Sequence, residues 1–124
     1  MNPPSVEAVD PDLATWVDVC PLDDIVPNRG VCALVAGHQV AVFRVPADGG
    51  SDEMLAISNY DPFSKAFVLS RGVVGSRGDR LKVASPVYKQ SFDLRTGACL
   101  DDPEVSVRTF GVRVVEGMVQ VVRP

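Results

Sequence analysis

The chain has 124 residues and a mass of 13.3 kDa, enough for one domain with its own core and too short for a second. Sixteen acidic against twelve basic residues leave a net charge of −4, the opposite sign to a general nucleic-acid binder, so no nucleic-acid partner is expected. No apolar run approaches the roughly 18 residues of a membrane span, and no membrane partner is expected.

The opening Met1-Asn2-Pro3-Pro4-Ser5 has neither the basic nor the apolar region of a secretory leader. The cysteines Cys20, Cys32 and Cys99 are sparse and unpaired in spacing. Each reads as a small buried hydrophobe in a reduced, cytoplasmic setting. Valine occurs 23 times, and glycine and proline together 20 times. β-Branched side chains suit a pleated surface and Gly and Pro punctuate turns, so the fold class is all-β, with short strands and little helix.

In chain order, residues 1–14 read as a loosely tethered tail and 15–124 as the domain. Residues 16–19 alternate as a first strand. Residues 21–27 are a turn with at most one helical turn, because Pro27 stops anything longer. Residues 30–36 and 39–45 are apolar runs on either side of Gly37-His38, a hairpin signal. Residues 46–53 form a loop and 54–58 a third strand. After an irregular stretch from Asn59, residues 66–70 are extended, and 73–74 with 81–84 flank a second hairpin. Residues 90–94 form a strand ended by Arg95-Thr96-Gly97, and 105–115 with 118–122 a last hairpin across Glu116-Gly117. No stretch carries a helical stripe longer than two turns.

Charge is unevenly spread. Residues 1–61 hold ten acids and two bases, 62–95 two acids and seven bases, and 96–124 four acids and three bases. Catalytic chemistry finds little support. The single histidine, His38, sits at a hairpin tip, where a polar residue is expected in any case. Zinc needs three or four ligands at fixed spacing, which the isolated cysteines do not supply, so no metal site is expected. Asp101-Asp102-Pro103-Glu104 lacks calcium-loop spacing. Gly72, Gly75 and Gly78 are followed by no Lys-Ser/Thr pair. Arg77-Gly78-Asp79 reads as a hairpin turn, and no acidic pair argues for acid–base catalysis, so the catalytic set is empty.

Two loops carry a resemblance. Ala56-Ile57-Ser58-Asn59-Tyr60-Asp61-Pro62-Phe63 resembles the first cluster-binding loop of Rieske proteins, where a strand runs into Asn-x-Cys-Pro-His. The run from Val83-Ala84-Ser85-Pro86-Val87-Tyr88 through Phe92-Asp93-Leu94 to Thr96-Gly97 resembles the second, where Cys-Pro-x-His leads into Phe-Asp-Leu and Thr-Gly. Asp61, Phe63, Ser85 and Tyr88 stand at the four cluster-ligand positions, none with a ligand of the Rieske type. A Rieske-like chain without those ligands is similar to one family, the small subunit of assimilatory NAD(P)H-dependent nitrite reductase. Val68-Leu69-Ser70-Arg71-Gly72 and Gln39-Val40-Ala41-Val42-Phe43-Arg44 also look like that family.

The resemblance implies a Rieske-like fold of three antiparallel sheets, with the two loops side by side at one end. It implies a cytoplasmic, non-catalytic subunit without a cofactor. Its partner, the nitrite reductase large subunit, would carry FAD, [4Fe-4S] and sirohaem and reduce nitrite to ammonium in nitrogen assimilation. Phe63 and Tyr88 are expected to fill the space of the cluster. Lys65, Arg71, Arg77, Arg80, Lys82 and Lys89, from the basic third, are expected to form a patch facing that partner. Two alternatives are a cluster-bearing ferredoxin with unusual ligands and a generic β-barrel interaction module.

Overall fold

Residues 38–45 read His-Gln-Val-Ala-Val-Phe-Arg-Val, too apolar for a strand with one wet face. A strand buried on both faces is written this way. In the computed structural model, which describes residues 15–47 and 49–124, that strand is the centre of the molecule; the tail expected over 1–14 lies outside the described residues.

The strands in chain order are β1 (Trp16–Pro21), β2 (Arg29–Val35), β3 (His38–Val45), β4 (Glu53–Ser58), β5 (Tyr60–Asp61), β6 (Ala66–Phe67), β7 (Val73–Arg77), β8 (Arg80–Ala84), β9 (Ser91–Asp93), β10 (Thr109–Phe110), β11 (Val112–Val115) and β12 (Met118–Val122). Short 3-10 turns cover Leu22–Asp24 and Leu69–Arg71.

All the pairings are antiparallel. The sheet β10-β4-β3-β2 lies between two three-stranded sheets, β7-β8-β9 and β1-β12-β11. The period of two sorts the core. Ala41, Phe43 and Val45 of β3, with Leu55 and Ile57 of β4, pack against Val83, Phe92 and Leu94. Val40, Val42 and Ala56 turn the other way, onto Val119, Val121 and Ile25. Arg44 is tolerated on this second face because its guanidinium pairs with Asp52 and donates to the Leu22 and Ile25 carbonyls. The hairpins β2–β3 and β11–β12 turn through Ala36-Gly37 and Glu116-Gly117, all at positive φ, the two-residue turn whose twist matches that of its strands.

Four expectations change. The sheets number four among the described residues, because β5 and β6 pair as a two-stranded ribbon inside the first loop. The last hairpin is shorter than 105–115 suggested: Thr109 and Phe110 pair with β4 and only Val112–Val115 pairs with β12. The chain changes sheet at Gly111, where a Cβ would stand 2.9 Å from the Val122 side chain. Residues 66–70 are extended only at β6 and then close into a 3-10 turn. Of the cysteines, only Cys99 is buried; Cys32 lies exposed on the edge strand β2 and Cys20 is half-buried.

Candidate functional site

Two loops of the same design meet at one end of the molecule. One runs Asp61-Pro62-Phe63-Ser64-Lys65 out of β5, the other Ser85-Pro86-Val87-Tyr88-Lys89 out of β8. Proline at the second position cannot donate to a ladder and ends the strand. Each loop then closes by a bond between residues four apart: the Lys65 N–H donates to the Asp61 carbonyl (2.7 Å) and the Lys89 N–H to the Ser85 carbonyl (3.1 Å). Both lysines sit at left-handed φ, 58° and 67°.

The loops are clasped to each other. The Ser85 hydroxyl donates to Asp61 Oδ2 at 2.5 Å, and Ser64 donates to the same oxygen at 2.9 Å. The Phe63 N–H fills Asp61 Oδ1 at 2.9 Å. Ser85 Oγ in turn accepts from the Val87 N–H. Both Asp61 and Ser85 are fully buried. Burial pushes the Asp61 carboxyl upward, but the bonds from Ser85, Phe63 and Ser64 outweigh it and hold the group below the usual carboxylate value.

Asn59, between β4 and β5, positions the first loop. Its side-chain NH2 donates to Gln39 Oε1 (3.2 Å) and Cys32 Sγ (3.4 Å), and its Oδ1 accepts the Ser70 N–H (2.7 Å). The Leu69 N–H donates to the Asn59 carbonyl, so the 3-10 turn hangs from this residue. Sequence reasoning singled out the motif around Asn59 but missed this role. A buried amide ending an apolar strand was the available signal.

The four ligand-position residues divide. Asp61 and Ser85 touch. Phe63 is half-buried and packs on Phe92, ring centroids 6.1 Å apart, as a filler should. Tyr88 does not fill the interior: it is 61% exposed. The direct Asp61–Ser85 contact closes the space between the loops, and the bonded Ser85–Lys89 turn leaves residue 88 on its outer crest.

The six bases divide as well. Lys65, Lys89 and Arg71 belong to the loop end. The hairpin register sets Val73 opposite Ala84 beside the loops and Arg77 opposite Arg80 at the far tip, four residues or about 13 Å away. There Arg77 pairs with Asp101 (3.2 Å) and Arg80 with Asp93 (3.3 Å). Lys82, in between, donates to Ser91 Oγ. The six bases are thus strung out from the loops to the hairpin tip, because strand geometry spreads along a hairpin what the sequence clusters.

The Rieske-like [2Fe-2S] domain family matches residues 15–122. The nitrite reductase (NADH) small subunit of Salmonella typhimurium is 47% identical over 108 residues, which is 87% of this chain and 97% of that protein. The NMR structure of NirD from Escherichia coli superposes with a TM-score of 0.79 at 46% identity, covering 88% of this chain and 96% of that one. A similar stretch also lies within the nitrite reductase [NAD(P)H] large subunit of Klebsiella oxytoca, 40% identical over 106 residues, 86% of this chain but 11% of that protein.

A Rieske cluster takes two thiolates and two imidazoles. Here the corresponding positions offer a carboxylate already saturated by three donors, a phenyl ring packed on Phe92, a serine committed to Asp61 and an outward-facing phenol. These residues do not fit the cluster.

Proposed function

The chain belongs to the nitrite reductase (NADH) small-subunit family, and from that premise we propose that it is the accessory, non-catalytic subunit of a cytoplasmic NAD(P)H-dependent nitrite reductase. The observation that carries this reading is the clasp. Where a Rieske protein joins its loops through metal, this chain joins them through a hydrogen bond between Ser85 and Asp61. Electron transfer from NAD(P)H through FAD and [4Fe-4S] to sirohaem, and the conversion of nitrite to ammonium, then belong to the large subunit. This chain contributes a rigid docking body. The occurrence of a similar domain inside a Klebsiella oxytoca large subunit supports that partnership. Among the described residues no helix is long and apolar enough to cross a membrane.

The test is co-expression with the large subunit, followed by purification and iron and acid-labile sulfide analysis of each chain. The expected result is a stable complex whose small subunit, once separated, is colourless and free of iron and sulfide. Stoichiometric iron with visible charge-transfer bands in the isolated chain overturns the reading in favour of an unusually ligated ferredoxin. Failure to assemble favours an unrelated interaction module.

A further inference from the structure

Beside the loop end, the tip of the β2–β3 hairpin, β6 and the approach to β10 enclose a groove of about 320 Å3. Leu34, Phe67 and Phe110 make its apolar walls, and His38 and Arg108 lie on its rim. Leu34 is 72% and Phe67 52% exposed. Single exposed apolar side chains are ordinary on any surface, but two of them lining the same groove as the Phe110 ring form a patch. Phe67 is not loose: its ring lies against Tyr60, centroids 5.1 Å apart.

Arg108 gives the groove a polarity. Its guanidinium lies over the Phe110 ring, 5.1 Å from the centroid, and makes no ion pair among the described residues. Stacking holds the planar fork in place while its donors remain available, the arrangement that grips a carboxylate bidentately. The His38 ring lies 6.2 Å from that of Phe110, tilted by 59°. Among the described residues no acidic side chain lines the groove. Apolar walls around a pre-positioned, unpaired arginine are the make-up of an interface hot spot.

We propose that this groove seats a segment of the large subunit that presents an apolar side chain next to a carboxylate. The apolar side chain enters between Leu34 and Phe67, and the carboxylate lies on Arg108. The proposal rests on the accessory-subunit reading above and specifies where the partner is held.

The experiment measures dissociation of the assembled complex for the wild-type chain and three variants, Arg108→Glu, Leu34→Asp and Arg113→Glu. Arg113 is the matched control, because its guanidinium also stacks on an aromatic ring, that of Trp16 at 4.1 Å, away from the groove. Leu34 is so exposed that its replacement leaves the core intact, and thermal melts verify folding of all three. Arg108→Glu and Leu34→Asp are expected to weaken the complex about tenfold or more, and Arg113→Glu by less than about twofold. If the groove variants bind like wild type, or Arg113→Glu weakens binding equally, the groove is not the seat while the accessory-subunit reading stands. A wild-type chain that does not assemble overturns both.

Discussion

Asp61 is a carboxylate shut away from water, with neutral donors rather than a cation around it. Removing a bond to a buried charge costs more than removing one between neutral groups. Ser85→Ala should therefore lower unfolding free energy by about 2 kcal/mol in urea titration, whereas loss of an exposed hydroxyl would be almost silent. Because folding holds Asp61 below the ordinary carboxylate value, its contribution is fully present above that value and disappears as pH falls through the lowered one. Asp61→Asn should flatten part of the acid limb of stability against pH. Glu53, lowered by Arg95, and Asp101, lowered chiefly by the Ser91 N–H, add to that limb in the same direction. An acid limb identical in the variant would remove Asp61 from this role. The lysines that close the loops carry a different signature, since a left-handed φ is unfavourable for a side-chain-bearing residue and easy for glycine. Lys89→Gly should raise stability by about 1 kcal/mol and weaken assembly with the large subunit. A gain in stability with unchanged assembly would assign Lys89 no part in docking.

At the scale of strands and loops, Gly97 ends the Asp93-Leu94-Arg95-Thr96 turn at φ 79°, with the Val107 carbonyl where a Cβ would be. Gly97→Ala should cost at least about 2 kcal/mol in chemical denaturation, because strain and a backbone clash act together. A loss under half of that would mean that the 105–107 segment yields. This turn, the two hairpins and the apolar run of β3 were legible in the sequence, because each rests on a local rule, a turn residue or a run of β-branched side chains, although the first turn is Ala36-Gly37 and His38 already belongs to β3 rather than to the tip. Other features depended on partners distant in sequence. Nothing around Thr109 tells that it leaves β12 for β4, since that exchange is set by how Val122 packs over Gly111. Tyr88 read as a filler because an aromatic ring at a ligand position suggests burial. The Asp61–Ser85 bond that displaces it joins residues 24 apart. Cys32 read as buried from its apolar neighbours, yet β2 is an edge strand. The groove on Arg108 carries no sequence motif at all, being assembled from a hairpin tip, a loop strand and a strand entry.

Over the whole molecule, the bases on and near the two loops belong to a chain of net charge −4. Arg77 and Arg80 pair with Asp101 and Asp93, whereas Lys65, Arg71 and Lys89, on or next to the loops, form no ion pair among the described residues. Reversing Arg71 and Lys89 together should slow association with the large subunit and reduce its dependence on salt, while reversing Arg113 and Arg123 should do much less. Stopped-flow or surface-based association rates at two ionic strengths check this, and equal effects from both pairs would detach the loop end from docking.

The pairing of β1 with β12 has a consequence for how the domain can be housed. Trp16 lies opposite Val122, so the first and last strands are cross-strand neighbours, about 5 Å apart at that pair. A body whose entry and exit points emerge side by side behaves as a plug-in unit. It can trail from either end of a host polypeptide or be spliced into one of its surface turns, because the host has only a short gap to bridge and the closure entropy is small. A small gap of this kind makes a separate subunit and a built-in segment physically interchangeable ways of delivering the same docking face.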